Sequence, residues 1–136
     1  MVLAIFVATQ VMSACSVIGE NRAEAATRQL EFRGGELYSR NCLGCHGDRD
    51  ALINASGAPP HNEHGHTWHH PDPQLTDWIL HGKPGGRMPP YGDRLTNDDV
   101  PAILAFVKTW WTPEQRRTQA DVSRNYDEFM RDEQPE

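Results

Sequence analysis

A chain of 136 residues is long enough for one domain and too short for two comfortable ones. Its polar character, with a mean hydropathy of −0.67, argues against a multi-span membrane protein. A formal net charge of −6 disfavours nucleic acid, which needs a basic surface, and suits a basic patch on a protein partner.

Residues 1–18 are mostly apolar and uncharged. The stretch is slightly short for a membrane-spanning helix and fits the apolar core of an export signal. Ser13-Ala14-Cys15 has the small-residue pattern that ends a bacterial lipobox, which makes Cys15 a lipidation candidate and accounts for the odd cysteine of three. Two other readings stay open: cleavage near Ala23-Glu24-Ala25, or an uncleaved anchor. All three put the rest of the chain outside the cytoplasm, in the periplasm or its equivalent. The expected divisions are a leader at 1–15, a polar tether at 16–30, a domain at 31–112 and a charged helical extension at 113–136.

Phe32 to Asn41 reads as a helix. Gly34 and Tyr38 lie four apart and share a face, where a glycine permits close approach of another helix. The plainer alternative is that Gly34-Gly35 marks the helix start. Next comes Cys42-Leu43-Gly44-Cys45-His46, the attachment signature of c-type haem. Each thiol adds to one vinyl group, so two sulfurs one helical turn apart reach neighbouring edges of a single porphyrin. His46 then lies beneath the ring as an iron ligand. A redox dithiol is a rival, but its usual βαβ surroundings are missing. A zinc site is another, but no second CxxC exists, so histidines would have to complete it.

Residues 47–72 carry no period-2 or period-3.6 pattern and read as a loop. So long a structureless loop is unusual in a compact domain, and wrapping a bulky cofactor is one reason to have it. Within it, His61-Asn62-Glu63-His64-Gly65-His66-Thr67-Trp68-His69-His70 holds five histidines in ten residues. Three readings are open: a copper or zinc site, a histidine that takes an axial position on haem iron, or a polar loop bonded to haem propionates, backbone or solvent. Trp68 either covers a haem edge or belongs to the core.

Pro73 to His81 reads as a short helix with Leu75, Trp78 and Ile79 on one stripe, ended by Gly82 and Pro84. The Gly- and Pro-rich run from Gly85 to Gly92 forms a rigid loop presenting Met88. Thr96 to Thr109 is the clearest helix, with Thr96 and Asp99 at capping-box spacing and an apolar face of Ile103, Leu104, Phe106, Val107 and Trp110. Pro101 is tolerable there only near the first turn. Thr112-Pro113-Glu114 restarts a helix running to about Met130, whose sparse apolar stripe docks on the domain or on a partner.

From Leu30 to Trp111 the chain resembles class I cytochrome c. The resemblance rests on a glycine–aromatic helix before CxxCH, a Gly/Pro loop, Met88-Pro89, and an aromatic C-terminal helix, in the family's order. It implies an all-α fold of three to four core helices around one covalently bound haem c, with Gly34 and Tyr38 packed against Ile103 and Phe106. It implies that Pro59 or Pro60 orients His46 through its carbonyl, that Met88 is the sixth iron ligand, and that Tyr91 belongs to the haem surroundings. A haem closed on both sides by protein moves electrons and does little bond-making. The expected role is therefore a one-electron carrier rather than an enzyme. Its partners would be redox proteins: a quinol-oxidising complex, an oxidase, a reductase or a photosynthetic reaction centre. A haem subunit of a larger complex, docked through residues 113–136, is the alternative. A haem- or copper-based ligand- or peroxide-handling protein is the third possibility.

Overall fold

The computed structural model describes residues 3–52 and 57–133, and the side chains of 21–52 and 57–133. Cys15 and the lipidation expected of it therefore lie outside the described side chains. Five α-helices follow in order: α1 Leu3–Asn41, α2 Leu43–His46, α3 Asp72–His81, α4 Asp99–Lys108 and α5 Pro113–Asp132, with a short 3-10 turn at Thr67–His69 before α3. No strand occurs among the described residues, so the architecture is all-α as expected.

The first helix begins well before Phe32. The run from Glu20 to Arg33 contains no glycine or proline and is rich in alanine and long charged side chains, all good helix formers. A Glu24–Arg28 pair, 3.6 Å apart at i,i+4, adds a little. The stretch expected to be a tether is thus helical, and its side chains from Asn21 to Gln29 are exposed. Packing had no part in that outcome. Among the described residues no helix is long and apolar enough to cross a membrane.

The domain is built on the contact of α1 with α4. A Cβ on Gly34 would stand 1.9 Å from the Ala102 carbonyl oxygen and 2.9 Å from Phe106 Cβ, so only glycine permits this approach. One turn later the Tyr38 ring meets Phe106 at 5.7 Å and Trp110 at 5.0 Å. Ile103, expected in this contact, is buried in the same core cluster as Tyr38, and both line the cavity described below. Tyr38, Leu75, Leu80, Leu95, Val100, Ile103, Leu104, Val107, Trp110 and Trp111 form one continuous core.

Local chemistry sets the helix ends. Asp99 accepts from the Thr96 backbone N–H at 2.9 Å and from its hydroxyl at 2.8 Å. Helix α4 then starts at Asp99 rather than Thr96, which puts Pro101 third in the helix, where a backbone N–H has no intrahelical partner to lose. Gly82 ends α3 with φ +86° and its N–H on the Trp78 carbonyl. A full capping box starts α5. The Gln115 N–H donates to Thr112 Oγ1, and the Thr112 N–H donates to Gln115 Oε1.

Candidate functional site

Helix α2 is a single turn, closed by the N–H of Cys45 and of His46 on the Cys42 carbonyl at 3.1 and 2.9 Å. That turn puts Cys42, Cys45 and His46 on the wall of one cavity of about 420 Å³ between α1, α3 and α4, within the usual range for cofactor sites. Cys42 is half-buried, Cys45 is exposed, and no disulfide joins them.

His46 is 9% exposed and its Nδ1 lies 2.8 Å from the Pro59 carbonyl oxygen. A carbonyl can only accept, so Nδ1 carries the proton and Nε2 keeps its lone pair. This is the arrangement metal-binding imidazoles use, with the second nitrogen fixing tautomer and ring orientation. Of the two prolines, Pro59 supplies the carbonyl. Pro60 does not line the cavity.

Met88 and Tyr91 line the same cavity. Their loop is closed on itself by backbone bonds: Tyr91 N–H to the Ile79 carbonyl at 3.0 Å, Gly92 N–H to Leu80 at 2.9 Å, and Lys83 N–H to Met88 at 3.4 Å. Three prolines and three glycines between Lys83 and Gly92 leave this segment no helix to form, so the ring of backbone bonds holds its shape.

Residues 31–107 match the family model described as cytochrome C oxidase, cbb3-type, subunit III. The chain belongs to this family. No solved structure matches it. Membership implies a covalently bound haem c and electron transfer by haem. The cytochrome domain ends inside α4 by this measure, and α5 lies beyond the matched segment.

The donor set of the cytochrome cavity fits that group: two thiols one turn apart, an imidazole with a bare Nε2, a thioether, and an apolar wall that includes Leu75, Leu104 and Val107. One further atom fits. His70 lines the cavity and its Nδ1 lies 2.8 Å from Gln74 Oε1, while its Nε2 is buried with no hydrogen-bond partner among the described residues.

Burial governs the titration of the site. It lowers the pKa of His46 against the opposing pull of the Pro59 hydrogen bond, which favours the neutral imidazole that iron requires. The Cys42 thiol is pushed up to about 12, by burial and then by neighbouring Cys45. Burial also raises Tyr91 and lowers His70. His61 is pushed down to about 3 by burial, then by His46 and His66.

His61 is the residue that sequence reasoning left unsorted among five. Its ring stacks on His46, with centroids 4.0 Å apart and planes 22° from parallel. The other histidines divide, with His66 and His70 meeting edge-on at 5.5 Å. His66 and His70 line the cavity, His69 stacks on Trp68, and His64 is exposed. Among the described residues no group of three or more histidines, cysteines or carboxylates is placed to hold a metal ion, so the copper or zinc reading of residues 61–70 gains no support. Trp68 is absent from the cavity wall as well. Its indole N–H donates to the Gly65 carbonyl at 3.1 Å, and the side chain packs against the core. Lys83 and Arg87 line the mouth, and nothing in their sequence surroundings marked them.

Proposed function

We propose that the protein is a one-electron carrier outside the cytoplasmic membrane, with haem c joined to Cys42 and Cys45 and held axially by His46 and Met88. One observation carries the reading. Cys42, Cys45, His46 and Met88 all line a single cavity, and the Nδ1 hydrogen bond leaves His46 Nε2 with its lone pair. When bound, the haem supplies a one-electron ferric/ferrous couple. The chain's own residues set its character. Pro59 holds the His46 ring in its metal-binding tautomer, the soft Met88 thioether favours ferrous iron, and the apolar wall keeps water from the iron. With His46 and Met88 both holding the iron, no coordination position would be left for a substrate, which supports a carrier over an enzyme.

The apolar leader and Cys15 support an extracytoplasmic, membrane-tethered location. The net charge of −6 supports transient docking on a basic patch of a redox partner. Made together with a c-type haem attachment system, the protein is expected to keep its haem through denaturing electrophoresis. Haem that separates from the denatured chain would sink the reading.

A second reading, a resident haem subunit of a respiratory oxidase, is favoured by the family's description. Affinity capture from detergent-solubilised membranes separates the two. A resident subunit brings a stoichiometric oxidase with it, and a carrier does not.

A further inference from the structure

The histidine loop is gripped from outside by one stripe of the C-terminal segment. Trp111 Nε1 donates to the His61 carbonyl at 2.7 Å, and Gln115 Nε2 donates to the Glu63 carbonyl at 2.9 Å. Gln119, 1% exposed, donates from Nε2 to Asp72 Oδ1 at 2.6 Å and to the His70 carbonyl at 3.3 Å. Ser123 Oγ accepts from the Asp72 N–H at 3.0 Å. Positions 115, 119 and 123 recur every four residues, the spacing that aligns side chains along one face of α5, and Trp111 stands just before its N-cap. Both ends of the loop, His61 and His70, are thereby tied to residues outside the family-matched segment.

Inside the loop, His61 is fixed on three sides. Its carbonyl is held by Trp111, its Nδ1 shares a 2.8 Å hydrogen bond with Thr67 Oγ1, and Tyr38 meets its ring edge-on at 6.1 Å and 75°. One face of its ring lies against His46, and the residue lines the cavity. The Pro59 hydrogen bond fixes the His46 tautomer and the direction of Nδ1, a single contact at one atom of the ring edge. A second flat ring stacked over the His46 face adds a constraint on the plane of that ring.

We propose that His61 is a positioning residue that sets the plane of the iron-ligating imidazole, and that the Trp111–Gln115–Gln119–Ser123 stripe holds His61 in place. The inference rests on the haem reading above. The plane of an axial imidazole over the porphyrin decides which iron orbital holds the ferric unpaired electron. It therefore shows in the order and spread of the four haem-methyl resonances. Packing alone would move stability and leave that pattern unchanged.

The test is paramagnetic proton NMR of the ferric holoprotein, with covalent haem checked on a denaturing gel. His61→Leu keeps an apolar filler and loses the flat ring, so the haem-methyl pattern is expected to rearrange. His61→Phe restores a flat ring and is expected to return the pattern towards wild type. Gln119→Leu, remote from the haem, is expected to shift the pattern in the same sense as His61→Leu by a smaller amount. If His61→Leu does not mature, the Gln119→Leu and His61→Phe arms still decide. Normal covalent haem with an unchanged pattern in Gln119→Leu, and in His61→Leu where that variant matures, overturns this proposal alone, as does a rearranged pattern in His61→Phe. Absence of covalent haem in the wild type overturns the haem reading and this inference with it.

Discussion

The two sides of the cavity are built on opposite principles. The His46 side is made of side chains drawn from distant parts of the chain: Pro59 and His61 from the loop, Tyr38 from α1, and Trp111 and the α5 stripe behind them. His46 is 9% exposed, and Asn62, next to His61 in the chain, is buried and donates to the carbonyls of Arg49 and Ala51. The Met88 side is a short segment, largely exposed, closed by three backbone bonds to itself and to the end of α3. A change on the first side should therefore spread through the fold, and a change on the second should stay local. That asymmetry suits a carrier, because a fixed imidazole keeps the coordination geometry constant while the exposed loop lies where a partner can reach it.

The largest effect is expected where both sides share a foundation. Gly34→Ala drives a Cβ into a backbone carbonyl that cannot swing away, so α1 and α4 must separate. A loss of about 3 kcal/mol or more in denaturant unfolding is expected, at or above the upper range for overpacking. A cost under about 1 kcal/mol would show that the helices slide apart freely.

Next comes the grip on the proximal side. Gln119→Leu leaves the His70 carbonyl and Asp72 without their buried donor. About 1–3 kcal/mol should be lost in denaturant unfolding, although the residue lies beyond the segment shared with the family. Equal stability would mean that α5 is an appendage and not a brace.

On the Met88 side a comparable insult should do less. Gly82→Ala forces an alanine to φ +86°, with Met88 O already 3.1 Å from the new Cβ. A cost of about 1–2 kcal/mol is expected from the left-handed backbone. The methionine–iron charge-transfer band should weaken while the haem-methyl signature of the imidazole plane stays put. Movement of both would erase the distinction between the two sides.

The smallest effect concerns Asp99, at the base of α4. Hydrogen bonds from the Thr96 backbone and hydroxyl, and then Arg33, hold its carboxyl below the usual range. A depressed folded-state pKa gives stability that is present above the unfolded value near 4 and is lost as pH falls through the lower folded value. Wild type should therefore exceed Asp99→Asn in stability at pH 7, with the two converging below about pH 4. A gap independent of pH would assign the effect to shape and not to charge.

Features with a local chemical signature are legible in the sequence. CxxCH needs only one helical turn to bring two thiols and an imidazole together. Met88 is displayed by prolines and glycines that leave the backbone few alternatives, and Gly34 is marked by its spacing from Tyr38. What is not legible depends on contacts between distant segments. Nothing local separates His61 from the four histidines that follow. Its role comes from standing two residues after the carbonyl that holds His46, with Trp111 fifty residues later fixing its backbone. The same holds for α5, whose glutamines read as a charged, solvated helix until the loop they bind is folded beneath them. The early start of α1 was hidden for the opposite reason. Residues 21–29 form a helix on propensity alone, with no apolar periodicity to announce it.

The most direct test of the central claim is Met88→Ala, read as ferric and ferrous spectra and reduction potential beside wild type. Wild type should show a covalently bound, low-spin haem with the methionine–iron charge-transfer band in the ferric state. Met88→Ala should lose that band, lower the potential, and give a high-spin or differently ligated iron, with the haem still covalently attached. Unchanged spectra and potential in Met88→Ala would contradict the His46/Met88 centre.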